Sequence, residues 1–252
     1  MPCRHYFWSL ILTLFSCATF LHRGDFERGL ACYKKGDFHK AAEYFNSHYT
    51  KHPESDSVLY YLYSCYQKLD QPERGLKLLE QLAEIGSKDE DVYLNLFYYY
   101  RKNSQYRNLF TLLVNVDPVV NDILNEHFCL TRRLFAEIIS GASTKTVHSD
   151  PLVFATSHGY LTLLPDGKFY ENDTITKGNL IVLLDHLVDP VYPKNFFQLR
   201  NVSNHSFLYL PYMRLIDHSI LNFDPDLDPR RRAPISMAVQ AIVQLKKRGF
   251  IE

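Results

Sequence analysis

Three groups of residues in this 252-residue sequence carry enough chemistry to be weighed first: histidines, cysteines and an Asp–Arg loop. His158 and His218 recur at a step of 60. They form either a ligand pair or the ends of two short helices, where His favours the helix dipole; the second is the expectation. His127 and Cys129 lie two apart in a helical pattern, which points them to different faces and argues against a shared metal. Asp224, Asp226 and Asp228 alternate in FDPDLDP. A calcium loop also needs a glycine at its tight turn and a later bidentate glutamate. Neither stands in place, so a loop with solvated carboxylates is expected. Arg230, Arg231 and Arg232 follow directly and read as the neutralising half of that loop. Cys3 and Cys17 belong to an apolar N-terminal segment. Cys32, Cys65 and Cys129 are odd in number, lack CxxC spacing and read as buried thiols. No phosphate-cradling glycine loop, nucleophile elbow or HExxH occurs. The expectation is a non-enzymatic protein with no catalytic residue, no metal and no cofactor.

Arg4 and His5 precede an uncharged run, YFWSLILTLF. A short basic lead before such a run has the shape of an export signal, read over residues 1–21. The run is shorter than the roughly 20 residues that cross a bilayer comfortably. Leu14-Phe15-Ser16-Cys17 resembles a bacterial lipoprotein box. The resemblance implies a lipidated Cys17, a membrane anchor and a bacterial cell-envelope location facing the periplasm or the exterior. Ser16 and Ala18 also form a small-x-small site. Ordinary cleavage after Ala18 and an uncleaved anchor are therefore the alternatives. Lys plus Arg and Asp plus Glu both number 28. A neutral chain lacks the basic footprint of duplex binding, so no nucleic-acid partner is expected.

Residues 22–140 read as one helical domain, in which residues 22 to about 117 repeat at a step of 34. Cys32, Tyr66 and Tyr100 align, as do Gly36, Asp70 and Ser104, then Ala41, Gly75 and Leu109, then Phe45, Leu79 and Leu113. Each unit has two apolar stripes at helical period around a short turn. A small residue early in the second helix lets the pair approach, and the large residue four positions later fills the space. One pair cannot cover both stripes, so units must stack.

The run Tyr33 to Phe38, the pair Ala41 and Phe45, and Pro53 resemble a tetratricopeptide repeat. The resemblance implies a mainly α fold: a stack of about three helical hairpins. It also implies a concave groove lined by first helices, here Tyr33, Lys34, Tyr60, Ser64, Gln67, Tyr98 and Arg101. An envelope protein or an extended peptide suits such tyrosines. Residues 119–140 read as one capping helix, and residues 141–149, GASTKTVHS, as a linker.

Residues 150–252 repeat at a step of 60. His158 aligns with His218, Pro165 with Pro225, and Ile175-Thr176 with Ile235-Ser236. Each unit reads as a short helix, a Pro-Asp loop and a longer helix. Thr176 and Ser236 are the expected N-caps. The stretch LPDGKFYENDTITKGNLIVLLDHLV resembles an S-layer homology module. The resemblance implies a small, mostly helical duplicated domain that binds cell-wall polysaccharide. Lys177 stands where that family has its basic residue, while the second copy has Met237 after Ser236.

Overall fold

The computed structural model describes residues 24–53, 55–145, 150–163 and 166–252. The export segment, Cys17 and the last part of the expected linker lie outside the described residues. The described chain is mainly α: twelve helices and no strand. It divides into two compact units, one running to Val92 and one from Tyr93 onward.

The first unit holds α1 (Asp25–Lys34), α2 (Phe38–Lys51), α3 (Asp56–Lys68) and α4 (Pro72–Glu84). The helix α5 (Glu90–Lys102) spans the division, and α6 (Tyr106–Asn115) follows it. The step of 34 is kept in the backbone itself. First helices end at Lys34, Lys68 and Lys102, and second helices begin at Phe38, Pro72 and Tyr106. Gly36, Asp70 and Ser104 all take left-handed backbone, with φ of 80°, 55° and 55°. Each turn then returns an amide to the preceding helix: Asp37 N to Cys32 O (3.0 Å), Gln71 N to Tyr66 O (2.9 Å) and Gln105 N to Tyr100 O (2.8 Å). These bonds satisfy carbonyls that a helix end would otherwise leave open.

Burial in the first unit follows the repeat. Ala41 and Phe45 are fully buried and Leu79 nearly so. Gly29 lies flat on Phe45, where a Cβ would come within 2.6 Å of the ring. Phe26 lies against that ring at 5.7 Å and Tyr61 stacks on it at 5.3 Å, with Tyr33 edge-on to Tyr61 behind. The tyrosine and phenylalanine excess is spent here as packing between helices.

The second unit adds α7 (Pro118–His127), α8 (Arg132–Ala142), α9 (Pro151–Ser157), α10 (Lys177–Asp185), α11 (Tyr209–Asp217) and α12 (Ile235–Lys247). The single capping helix expected over 119–140 is two helices. Phe128 leaves the helix to stack on Phe97 at 4.1 Å. Leu130 gives its carbonyl to Ile175 N (2.8 Å), and the Thr131 side chain caps a new helix by accepting from Leu134 N (3.1 Å). α8 is then buried along nearly its whole length. A Cβ on Gly141 would stand 2.0 Å from Tyr106 O, so α6 and α8 touch backbone to backbone. Gly141 and Ala142, expected to open a linker, are the last turn of α8, and Ser143 is buried after them. The compact division itself falls at Val92–Tyr93, within α5.

Around α8 the second unit repeats itself. Arg132 N donates to Asp173 O (3.2 Å) and Arg133 N to Glu171 O (2.9 Å). Lys177 N donates to Arg231 O (2.8 Å) and Gly178 N to Pro229 O (2.9 Å) in the same way. The isolated bridges Thr131–Thr174 and Thr176–Arg232 match each other. Helices α8, α10 and α12 thus start at equivalent places, with Thr131, Thr176 and Pro234 as N-caps. Ser236 is not an N-cap, contrary to the step of 60. Helices α9 and α11 end before His158 and His218, 60 apart, while Ile175 and Ala233 pair 58 apart. The second loop is two residues shorter, so its helix begins early. Asn125 Oδ1 accepts from Ile235 N (2.7 Å) in place of a cap hydroxyl.

The left-handed turns give a direct test. Gly36→Ala is expected to cost about 1 kcal/mol, and Ser104→Gly to gain a similar amount. Urea denaturation of both variants measures this; unchanged midpoints in both would show that the turns do not constrain the pairs.

Candidate binding surfaces

In the first unit the expected groove residues divide into packed and exposed. Tyr33 is half-buried, edge-on to Phe38 (5.4 Å) and Tyr61 (5.5 Å). Lys34 and Gln67 are exposed, and Ser64 is half-buried. Tyr60 lines a cavity of about 430 Å³ with Ser57, Tyr61, Lys88 and Asp89. Its hydroxyl donates to Asp91 Oδ2 at 3.4 Å. Burial, then the Asp91 and Asp89 carboxylates, hold that hydroxyl above its usual value, so it remains a donor. Lys88 and Asp89 were missed from sequence because they sit in a turn with no motif.

In the second unit Tyr98 is 61% exposed and leans edge-on against Phe128 at 5.1 Å. Arg101 is committed elsewhere. Its guanidinium forks onto Glu137 at 2.6 and 3.4 Å and lies over the Phe97 ring. The Glu137 side chain is 5% exposed and also meets Arg133 at 3.4 Å. Arg133 continues to Asp150 (2.8 Å) and Glu171 (2.6 Å). This network ties α5 and α8 to the duplicated region, a role no sequence spacing announced.

Lys177 and Arg132 occupy equivalent positions after their caps, and the structure treats them differently. Arg132 is buried and donates to Thr162 O (2.5 Å) and Phe169 O (2.7 Å), pinning the first loop. In the second copy the matching carbonyls are those of Asn222 and Leu227. Here Tyr212 takes over, standing where the first copy has Leu152. Its hydroxyl donates to Asn222 O (3.1 Å) and accepts from Asp224 N (2.8 Å). Burial pushes that hydroxyl up to about 12, so it stays protonated. Lys177 makes no bond to those carbonyls and faces Asp224 at 3.7 Å.

Lys177 lines an open groove of about 1270 Å³ with Asn179, Asn201, Ser203, Phe207 and Arg230. Phe207 is 79% exposed. Asp226 pairs with Arg200 (2.9 Å) and Asp228 with Arg231 (3.4 Å), so the acidic loop is neutralised by ion pairs. Arg232 instead donates to Cys129 Sγ at 3.2 Å. Cys129 is exposed rather than buried, because the α7–α8 break carries it out of a helix. Cys65 is buried, and burial raises its thiol to about 11. Among the described residues no group of three or more His, Cys, Asp or Glu is placed to hold a metal.

Removing the Tyr212 hydroxyl tests the loop assignment. Tyr212→Phe is expected to cost about 1–3 kcal/mol, because Asn222 O and Asp224 N lose their partner. A loss below about 0.5 kcal/mol in chemical denaturation would contradict that role. Compared with protein-family models, curated proteins and solved structures, the chain matches none, so these surfaces stand on their geometry.

Proposed function

We propose that this chain is an exported, non-enzymatic interaction scaffold, held at a bacterial membrane by a lipidated Cys17. Its binding surface is the first-helix face of the tetratricopeptide-like pairs, and its partner is an envelope protein or an extended peptide. The observation that carries this reading is the recurrence of one left-handed turn and one return hydrogen bond at every 34th residue. Such a recurrence is what a stack of helical pairs requires of its chain. Tyr60 stands on one first helix and Tyr98 on the next, 38 residues on, and each offers a ring with a hydroxyl suited to peptide backbones. Lys34, Ser64 and Gln67 supply polar groups beside them. Arg101 is better assigned to holding Glu137 than to a partner.

A second reading rests on the Lys177 groove. There the duplicated, S-layer-homology-like region binds a wall polysaccharide, and the helical pairs present it. Lys177 lining the groove, while the Tyr212 hydroxyl serves Asn222 O in its stead, favours this alternative.

Pull-downs of the full chain against envelope proteins, and sedimentation with purified wall polymer, separate the two. Tyr60→Ala with Tyr98→Ala is expected to lose at least tenfold in partner capture while leaving polymer sedimentation unchanged. Retained capture rejects the repeat surface. Loss of polymer sedimentation in Lys177→Ala transfers the function to the groove. Mass spectrometry of the mature N-terminus is expected to show a lipid on Cys17; a chain starting at Thr19 rejects the anchor.

A further inference from the structure

We propose that the second unit holds a binding site for a guanidinium group, in its simplest form the arginine side chain of a partner. The site is the cavity of about 380 Å³ beside Lys177, apart from the repeat surface and adjoining the open groove, with which it shares Lys177 and Asp224. It goes beyond both functional readings above, since neither requires it.

The two copies in this chain differ at this place. In the first copy a guanidinium already occupies the corresponding place: Arg132, buried, with N–H groups on Thr162 O and Phe169 O. The counterparts of Arg132, Leu152, Thr162 and Phe169 are Lys177, Tyr212, Asn222 and Leu227. All four line the cavity. The space is open because lysine replaces arginine and turns to Asp224. Asn222 O is served by the Tyr212 hydroxyl. Leu227 O, the counterpart of Phe169 O, receives no hydrogen bond among the described residues.

The rest of the wall is rich in acceptors. Asp224, Gln240 and Gln244 bring a carboxylate and two amide oxygens. A planar fork of five donors can use several at once, whereas an ammonium concentrates its donors at one point. The volume lies within the usual range for small-ligand pockets, roughly 300–1,000 Å³. Lys177 lines both this cavity and the groove that contains Asp226 and Asp228. The Lys177 ammonium is itself paired with Asp224 at 3.7 Å, so an entering guanidinium meets a screened charge.

The test is a ¹H–¹⁵N NMR titration of the full chain with N-acetyl-L-arginine amide, and separately with N-acetyl-L-lysine amide. The expected result is saturable shifts at millimolar arginine amide, confined to residues near Leu227, Gln240 and Gln244. The lysine amide should bind more weakly at those residues. Lys177→Arg supplies the guanidinium from within and should abolish the response. Gln240→Lys, a substitution at an exposed position, places a like charge on the wall and should weaken binding roughly tenfold. Absence of saturable shifts, an equal response to lysine amide, or an undiminished response in both variants would overturn the proposal.

Discussion

The second unit depends on one residue that uses both halves of its peptide group. Ile175 donates its N–H to Leu130 and accepts on its carbonyl from Ala233 N. Buried backbone groups must find such partners, and these two bonds hold the starts of α8, α10 and α12 in one place. Thr131, Thr176 and Pro234 then launch helices that share a core. The same constraint breaks the long amphipathic segment before Leu130, because a continuous helix would keep that carbonyl for itself. The compact division falls at Val92–Tyr93.

Once the three starts are joined, each loop between them needs an internal anchor. The first loop uses the charge of Arg132, sunk among carbonyls, and the second uses the neutral hydroxyl of Tyr212. The exchange has a consequence for chemistry. A buried guanidinium is spent on structure, while Lys177 keeps its ammonium at the edge of a groove and a cavity. Two copies of one local design have thereby diverged into a closed one and an open one. The ion pairs around Asp226 and Asp228 leave the groove electrically mixed, which suits a ligand with both donors and acceptors.

The helical pairs were legible in the sequence because their turns advertise themselves. Gly36, Asp70 and Ser104 tolerate or suit left-handed backbone, and the apolar stripes on either side keep a helical period. The turns therefore fell where the spacing put them. The break at Phe128–Thr131 gave no such signal: residues 119–140 contain neither glycine nor proline, and a distant residue, Ile175, imposes the break. The start of α12 was misplaced because a repeat step cannot reveal that one loop is two residues shorter. Arg101 looked like a groove residue by position, yet Glu137, 36 residues away, takes its guanidinium. Among the site residues, Lys177 was visible from its place after Thr176. Tyr212 was not, since its role exists only by comparison with Leu152 and Arg132 in three dimensions. No helix among the described residues is long and apolar enough to cross a membrane.

The central claim is that Tyr212 does in the second copy what Arg132 does in the first. A double-mutant cycle on Lys177→Arg and Tyr212→Leu, read by urea denaturation, tests it most directly. Together these changes rebuild the first-copy pair in the second copy. Tyr212→Leu alone should be strongly destabilising, and Lys177→Arg should restore much of that loss. The expected coupling is about 1 kcal/mol or more in favour of the double variant. Strictly additive effects, with Lys177→Arg giving no rescue, would contradict the account.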